Sequence, residues 1–226
     1  MNPPAGAVIG SIAQRPMAAV DTRADLPGSA APLHHAERAY IAGAMEARYR
    51  EFVTARACAR RALTLLGLPE QAIPPGAGGE PSWPPGVVGS ITHCGGYRGA
   101  VVGRSADVAA IGIDAEPNEP LPAGVLAAIS TRHERTQAGE SRAARPAVCW
   151  DRLLWCAKEA VCKAWYPLAR RPLERGSVQV LVAAGGQTFS ARLREPGPVF
   201  DGRWLLHDGL LLTVVTLPPA LPGRSG

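Results

Sequence analysis

The chain has 226 residues and a mass of 23.6 kDa, enough for one large domain or two small ones around a substantial core. Hydrophobic residues make up 46% and mean hydropathy is +0.00, which excludes a disordered chain, and no apolar run approaches the roughly 18–20 residues that a bilayer span needs. Five cysteines without a Cys-x-x-Cys pair exclude a disulfide framework and a zinc ribbon, while a net charge of +5 suits polyanionic partners without choosing among them.

The N-terminal stretch Ala5 to Ala13 is weakly apolar, with prolines and no positive charge before it. It predicts a short edge strand rather than a signal peptide. Asp21 to Pro32 reads as a turn-rich connector. Helical spacing then runs from Leu33 to Leu66, with a break at Gly43, and stops at Gly67 and Pro69. Proline and glycine crowd Ile73 to Pro85 and predict a loop. Val87 to Thr92 and Gly99 to Gly103 predict two strands about Gly95-Gly96, and Ala109 to Ile113 a strand buried on both faces.

Leu121 to Glu140 reads as helix and loop, and Ala143 to Pro146 as loop. Asp151 to Ala169 carries the strongest helical pattern. Four strands follow: Val178 to Val182, Phe189 to Leu193, Trp204 to His207 and Leu210 to Thr216, the last two joined by Asp208-Gly209. The tail from Pro218 is expected to fray. Helices and strands mix without regular βαβ alternation, which predicts an α+β architecture.

Three constellations could carry chemistry. Gly112-Ile-Asp-Ala-Glu116 ends an apolar strand in Asp114 and Glu116. Positions i and i+2 of a strand share a side, so the two carboxylates face one point. A hard divalent cation would relieve their repulsion, and oxygen-only ligands favour Mg²⁺ or Mn²⁺. A solvated strand exit would look the same.

The helix Trp155 to Trp165 holds the only two lysines among 24 basic residues, Lys158 and Lys163, together with Glu159. In a chain that otherwise uses arginine, two lysines five residues apart point to positions where a planar guanidinium fails. An exposed helical salt bridge is the plain alternative, but Leu153, Leu154, Trp155, Cys156, Val161, Cys162 and Trp165 leave this helix little polar face. Glu159 on a metal and the lysines on phosphate oxygens would complete a Mg²⁺–phosphate site. Third, Gly89 to Tyr97 places His93 beside a Gly-Gly turn, where it is either a ligand contact or a structural histidine.

In order and spacing, Gly89-Ser-Ile-Thr-His-Cys94, Gly112-Ile-Asp-Ala-Glu-Pro117 and Trp155-Cys-Ala-Lys-Glu-Ala-Val-Cys-Lys163 resemble the 4′-phosphopantetheinyl transferases of the surfactin-synthetase type, closest to the enterobactin-type, actinobacterial branch. Arg48 to Arg60 is similar to that branch's arginine-bearing helix, and Gly79 to Pro84 to its loop.

The resemblance implies a monomer of two similar α+β halves in pseudo-twofold arrangement, here residues 1–108 and 109–226, with coenzyme A in the cleft between them. It implies Mg²⁺ (or Mn²⁺) on Asp114, Glu116 and Glu159. Lys158 and Lys163 would neutralise phosphate charge, and Arg48, Arg56 and His93 would hold the 3′-phosphoadenosine end, with Ser90 and Thr92 lining the pocket. A serine of an apo acyl or peptidyl carrier protein would attack the β-phosphate, with Glu159 as base, directly or through water, and 3′,5′-ADP would leave. A cytoplasmic place is implied, without membrane or nucleic acid.

Two departures stand out. Relatives often carry a lysine in the loop that here reads Ile73 to Gly79, and this chain has none; Cys162 stands where an aromatic residue is usual. The competing readings are an arginine-rich nucleic-acid binder, a Mg²⁺-dependent phosphohydrolase or nuclease, and a coenzyme A binder without turnover. The first leaves the acidic set unexplained, since carboxylates repel phosphate unless a metal intervenes. A requirement for a protein co-substrate separates the second.

Overall fold

A computed structural model describes residues 8–13, 16–25, 32–183, 185–194 and 196–219. Two antiparallel sheets and five helices make up its regular structure. The smaller sheet joins β1 (Ala18–Thr22), β3 (Tyr97–Arg104) and β2 (Val87–Cys94) in the order β1-β3-β2. β2 and β3 form a hairpin about Gly95-Gly96, with Gly96 at φ +75°, where a side chain would be strained. Helix α1 (His35–Ile41) is separated from α2 (Glu46–Leu65) at Gly43, φ +82°, the break expected from the sequence. The buried face of α2, Cys58, Ala59, Ala62 and Leu63, packs on Ala100 and Val102 of β3.

The larger sheet runs β4 (Ala110–Pro117), β8 (Leu210–Leu217), β7 (Val199–His207), β6 (Thr188–Leu193) and β5 (Val178–Val182). Helix α5 (Trp150–Ala169) lies across it, burying Leu153, Ala157, Ala160, Val161 and Ala164 against Val180, Phe200, Trp204, Leu211 and Val215. Helices α3 (Val125–Ile129) and α4 (Arg132–Ala144) connect β4 to α5.

Gly112 sets the distance between β4 and α5. A Cβ there would meet the Ala160 carbonyl oxygen at 1.8 Å, so the strand and helix backbones touch where only glycine fits. The two sheets meet at β2 and β4 without a backbone ladder. Instead Ser90 Oγ accepts from the Ile113 N–H and Thr92 Oγ1 from the Ala115 N–H, each at 3.1 Å. Two edge-strand amides are satisfied by hydroxyls, and the sheets are fixed side by side.

Several expectations are corrected. Val8–Ser11 is a 3₁₀ turn, not a strand; Ala5 to Ala7 lie outside the described residues. The first strand is Ala18–Thr22, so the connector begins after it, and Asp21 is a strand residue whose carboxylate accepts from Tyr97 Oη at 2.9 Å and the Ile9 N–H at 2.8 Å. Helix α4 runs through to Ala144, into the expected loop, and β7 starts earlier, at Val199. Most of the connector and of the tail from Pro218 lies outside the described residues.

Candidate active site

The junction of β2, β4 and α5 gathers the chemistry. Asp114 and Glu116 sit in register positions opposite Thr213 and Leu211 of β8, and both face α5. Lys163 Nζ reaches Asp114 Oδ1 at 2.7 Å, the Ile113 carbonyl at 3.0 Å and Thr92 Oγ1 at 3.4 Å. Asp114 Oδ2 is buried and, among the described residues, has no hydrogen-bond partner. A buried carboxylate oxygen without a donor is costly, and it has the character of a position awaiting a cation. Glu116 accepts from Arg152 at 3.0 Å and from the Trp155 indole N–H at 3.2 Å. Burial, then the neighbouring Asp114 charge, raises its pKa above the ordinary glutamate value despite Arg152.

Glu159, expected beside these two carboxylates, is turned to Arg175, whose guanidinium donates to it while lying over the Trp155 ring at 4.5 Å. Among the described residues no three carboxylate, histidine or cysteine side chains are gathered closely enough to hold a metal ion. The expected trio is therefore not assembled. Asp114 and Glu116 offer a fitting pair of oxygen donors, and Glu159 must leave Arg175 to join them.

Lys158, expected to neutralise phosphate charge, is not brought to this junction. Lys158 is 0% exposed, and its ammonium bonds Glu134 at 2.9 Å, the Ile129 and Val178 carbonyls at 2.6 Å each, and the Arg175 carbonyl at 3.3 Å. Its donors are used inside the fold and, unlike Lys163, it has no exposed surface to offer a phosphate. Burial, partly offset by Glu134, lowers its pKa. Burial would raise Glu134, but the bonds from Lys158 and from the Thr131 and Val180 N–H groups outweigh it and the net shift is downward.

A second group of charges lines the β2 end and α2. Arg48 Nη1 meets His93 Nε2 at 2.8 Å, and His93 Nδ1 stands 3.7 Å from Glu51. Partial burial, then Arg48, lowers the His93 pKa. Arg98 joins this group through Asp25 at 3.0 Å and Glu51 at 3.6 Å. Arg56 is buried beneath, its Nε donating to the Ile73 carbonyl at 2.8 Å and its guanidinium over Phe52 at 4.4 Å; burial takes its pKa down to about 10. Ser90 and Thr92 are likewise buried and are hydrogen-bonded across the sheet junction, with Thr92 alone touching Lys163 and Asp114. Cys162 Sγ donates to the Leu173 carbonyl at 3.3 Å, away from the carboxylates.

Three residues went unnoticed in the sequence. Arg152 and Arg175 are hidden among many arginines. Glu134 had a signal: Thr131 and Glu134 form a capping box, Thr131 N–H to Glu134 Oε2 at 2.7 Å and Glu134 N–H to Thr131 Oγ1 at 3.2 Å.

Comparison with known proteins decides the family. A model of the 4′-phosphopantetheinyl transferase N-terminal domain matches residues 36–103, and a model of the 4′-phosphopantetheinyl transferase superfamily matches residues 110–215. The chain belongs to the 4′-phosphopantetheinyl transferases. It is 51% identical over 189 residues to the transferase Svp of Streptomyces mobaraensis, covering 80% of this chain and 77% of Svp. It is 46% identical to PptT of Mycobacterium tuberculosis (80% and 84% covered) and 44% identical to Npt of Nocardia iowensis (80% and 88%). The α+β fold expected of such a transferase is the one observed. No helix among the described residues is long and apolar enough to cross a membrane.

Proposed function

We propose that this transferase moves the 4′-phosphopantetheine arm of coenzyme A onto a serine of apo acyl or peptidyl carrier proteins and releases 3′,5′-ADP. The observation that carries the reading is the β2–β4–α5 junction, where an orphaned carboxylate oxygen of Asp114 lies beside Glu116 and across from Lys163. Such a displacement needs positioning, charge neutralisation and removal of one proton more than it needs covalent chemistry.

Asp114 and Glu116, joined by Glu159, would hold Mg²⁺ or Mn²⁺, which supplies charge neutralisation on the diphosphate. Lys163 faces the same point and carries a compact positive charge to a phosphate oxygen. Arg48 and His93 would grip the 3′-phosphoadenosine end, with Arg56 and Arg98 bracing the wall behind them. The serine oxygen forms a bond to the β-phosphorus, the bond from that phosphorus to the bridging oxygen breaks, and Glu159 takes the hydroxyl proton. The net charge of +5 favours encounter with acidic carriers.

We assign residues 1–108 and 109–226 as the two halves with the cofactor cleft between them. The confinement of one sheet to each side of that boundary supports it. A monomer in the cytoplasm fits the same reading.

Intact-mass spectrometry of an apo carrier protein incubated with the transferase, coenzyme A and Mg²⁺, with and without EDTA, tests it. A mass gain of one phosphopantetheine arm that disappears with chelator is expected. No gain on fatty-acid, polyketide or peptide carriers would overturn it.

A further inference from the structure

Each of the three acidic residues at the junction has a cation on it, and the three cations are not equally held. Lys163, on Asp114, is also bonded to the Ile113 carbonyl and Thr92. Arg152, on Glu116, is also bonded to the Glu119 and Pro120 carbonyls at 3.0 Å each, with its side chain 17% exposed. Both are tied to the backbone and cannot leave without abandoning those carbonyls.

Arg175 differs. Among the described residues its guanidinium is held by Glu159 and the face of Trp155, and its side chain is 41% exposed. It also lines an open cavity of about 550 Å³, shared with Glu174, Arg171 and Arg194, which offers room and one alternative carboxylate. Its backbone is by contrast fixed, since its carbonyl accepts from the sealed Lys158 ammonium in the turn Arg175–Ser177. The peptide is anchored, while the guanidinium, unlike Lys163 and Arg152, is bonded to no backbone carbonyl among the described residues.

We propose that Arg175 is a displaceable counter-ion that keeps Glu159 out of the metal site and competes with the divalent cation for it. Glu159 is paired with Arg175, and in this arrangement the three carboxylates are, among the described residues, not gathered to hold a metal. When the cation binds, Arg175 leaves Glu159 and rotates toward the cavity, so Arg175 sets the metal affinity of the free enzyme. The inference rests on the reading of Glu159 as a metal ligand.

The test is a titration of the free enzyme with Mn²⁺, followed by the paramagnetic resonance of unbound Mn²⁺, which needs no turnover. Arg175→Ala and Arg175→Gln should both bind Mn²⁺ about three- to tenfold more tightly than wild type, equivalent to about 0.7–1.4 kcal/mol for the lost competing pair. Unchanged or weaker binding in both variants would overturn the counter-ion role. Glu159→Gln should bind Mn²⁺ more weakly than wild type, whatever Arg175 does. If Glu159→Gln binds like wild type, the assignment of Glu159 to the metal fails and the inference falls with it. If only the Arg175 variants disappoint, the metal site stands and the counter-ion role alone is lost.

Discussion

Lys158 and Lys163 lie five residues apart on one helix and live in opposite surroundings. Lys158 is sealed under α5, where Glu134 and three carbonyls take its donors. Lys163 stands at the open junction, its side chain 33% exposed, between Asp114 and Thr92. The Lys158 position demands a lysine, because a narrow pocket of converging carbonyls accepts an ammonium and excludes a guanidinium fork. Under the proposed function Lys163 would be constrained differently, by presenting its charge to the diphosphate beside Asp114. Scarcity of lysine therefore marks sites of chemical constraint, and only the fold divides constraint on stability from constraint on function.

The contrast is broken most severely at Lys158. Lys158→Met should destabilise the fold by about 3–5 kcal/mol, because it leaves Glu134 buried and unpaired, and Lys158→Met/Glu134→Gln should recover part of that. Urea unfolding of the two variants checks both. Asp114→Ala should instead cut transfer by about 10²-fold or more while the unfolding midpoint stays within a few degrees, read by carrier mass gain and thermal melting.

The sequence showed the apolar face of α5, the hairpin glycines and the Asp114/Glu116 pair, because periodicity and spacing record burial and sidedness directly. It placed Lys158 on the wrong side because a burial pocket built from Ile129, Val178 and Arg175 carbonyls leaves no trace in side-chain identity. Glu134 sits on a helix of largely polar residues, Arg132 to Ala144, where no apolar stripe announces an inward-facing position. Arg152 and Arg175 were illegible for a different reason, since a chain this rich in arginine gives no one of them prominence. The strand Ala18–Thr22 was missed because its apolar part, Ala18-Ala19-Val20, is short and made mostly of alanine, and Asp21 and Thr22 follow it like the start of a turn.

Smaller effects sharpen the division. Gly112→Ala pushes a methyl group into the Ala160 carbonyl and should cost about 1–3 kcal/mol, together with a loss of transfer as α5 moves Lys163 off Asp114. Circular dichroism melts and the carrier assay on one sample measure both. Glu134, on the Lys158 side, contributes to the acid limb of stability. Glu134 has its pKa lowered in the fold, so its stabilisation is present above the ordinary glutamate value and is lost as pH falls through the lowered one. Unfolding free energy measured from pH 6 downward should fall less steeply in Lys158→Met/Glu134→Gln than in wild type.

The most direct measurement is made on Lys163→Arg, with coenzyme A binding by calorimetry in Mg²⁺ and the unfolding midpoint taken on the same preparation. If Lys163 serves the cofactor and Lys158 the fold, this variant keeps its midpoint and binds coenzyme A about tenfold more weakly, or about 1.4 kcal/mol. A variant that binds coenzyme A like wild type, or that loses stability instead of affinity, would contradict the division of labour between the two lysines.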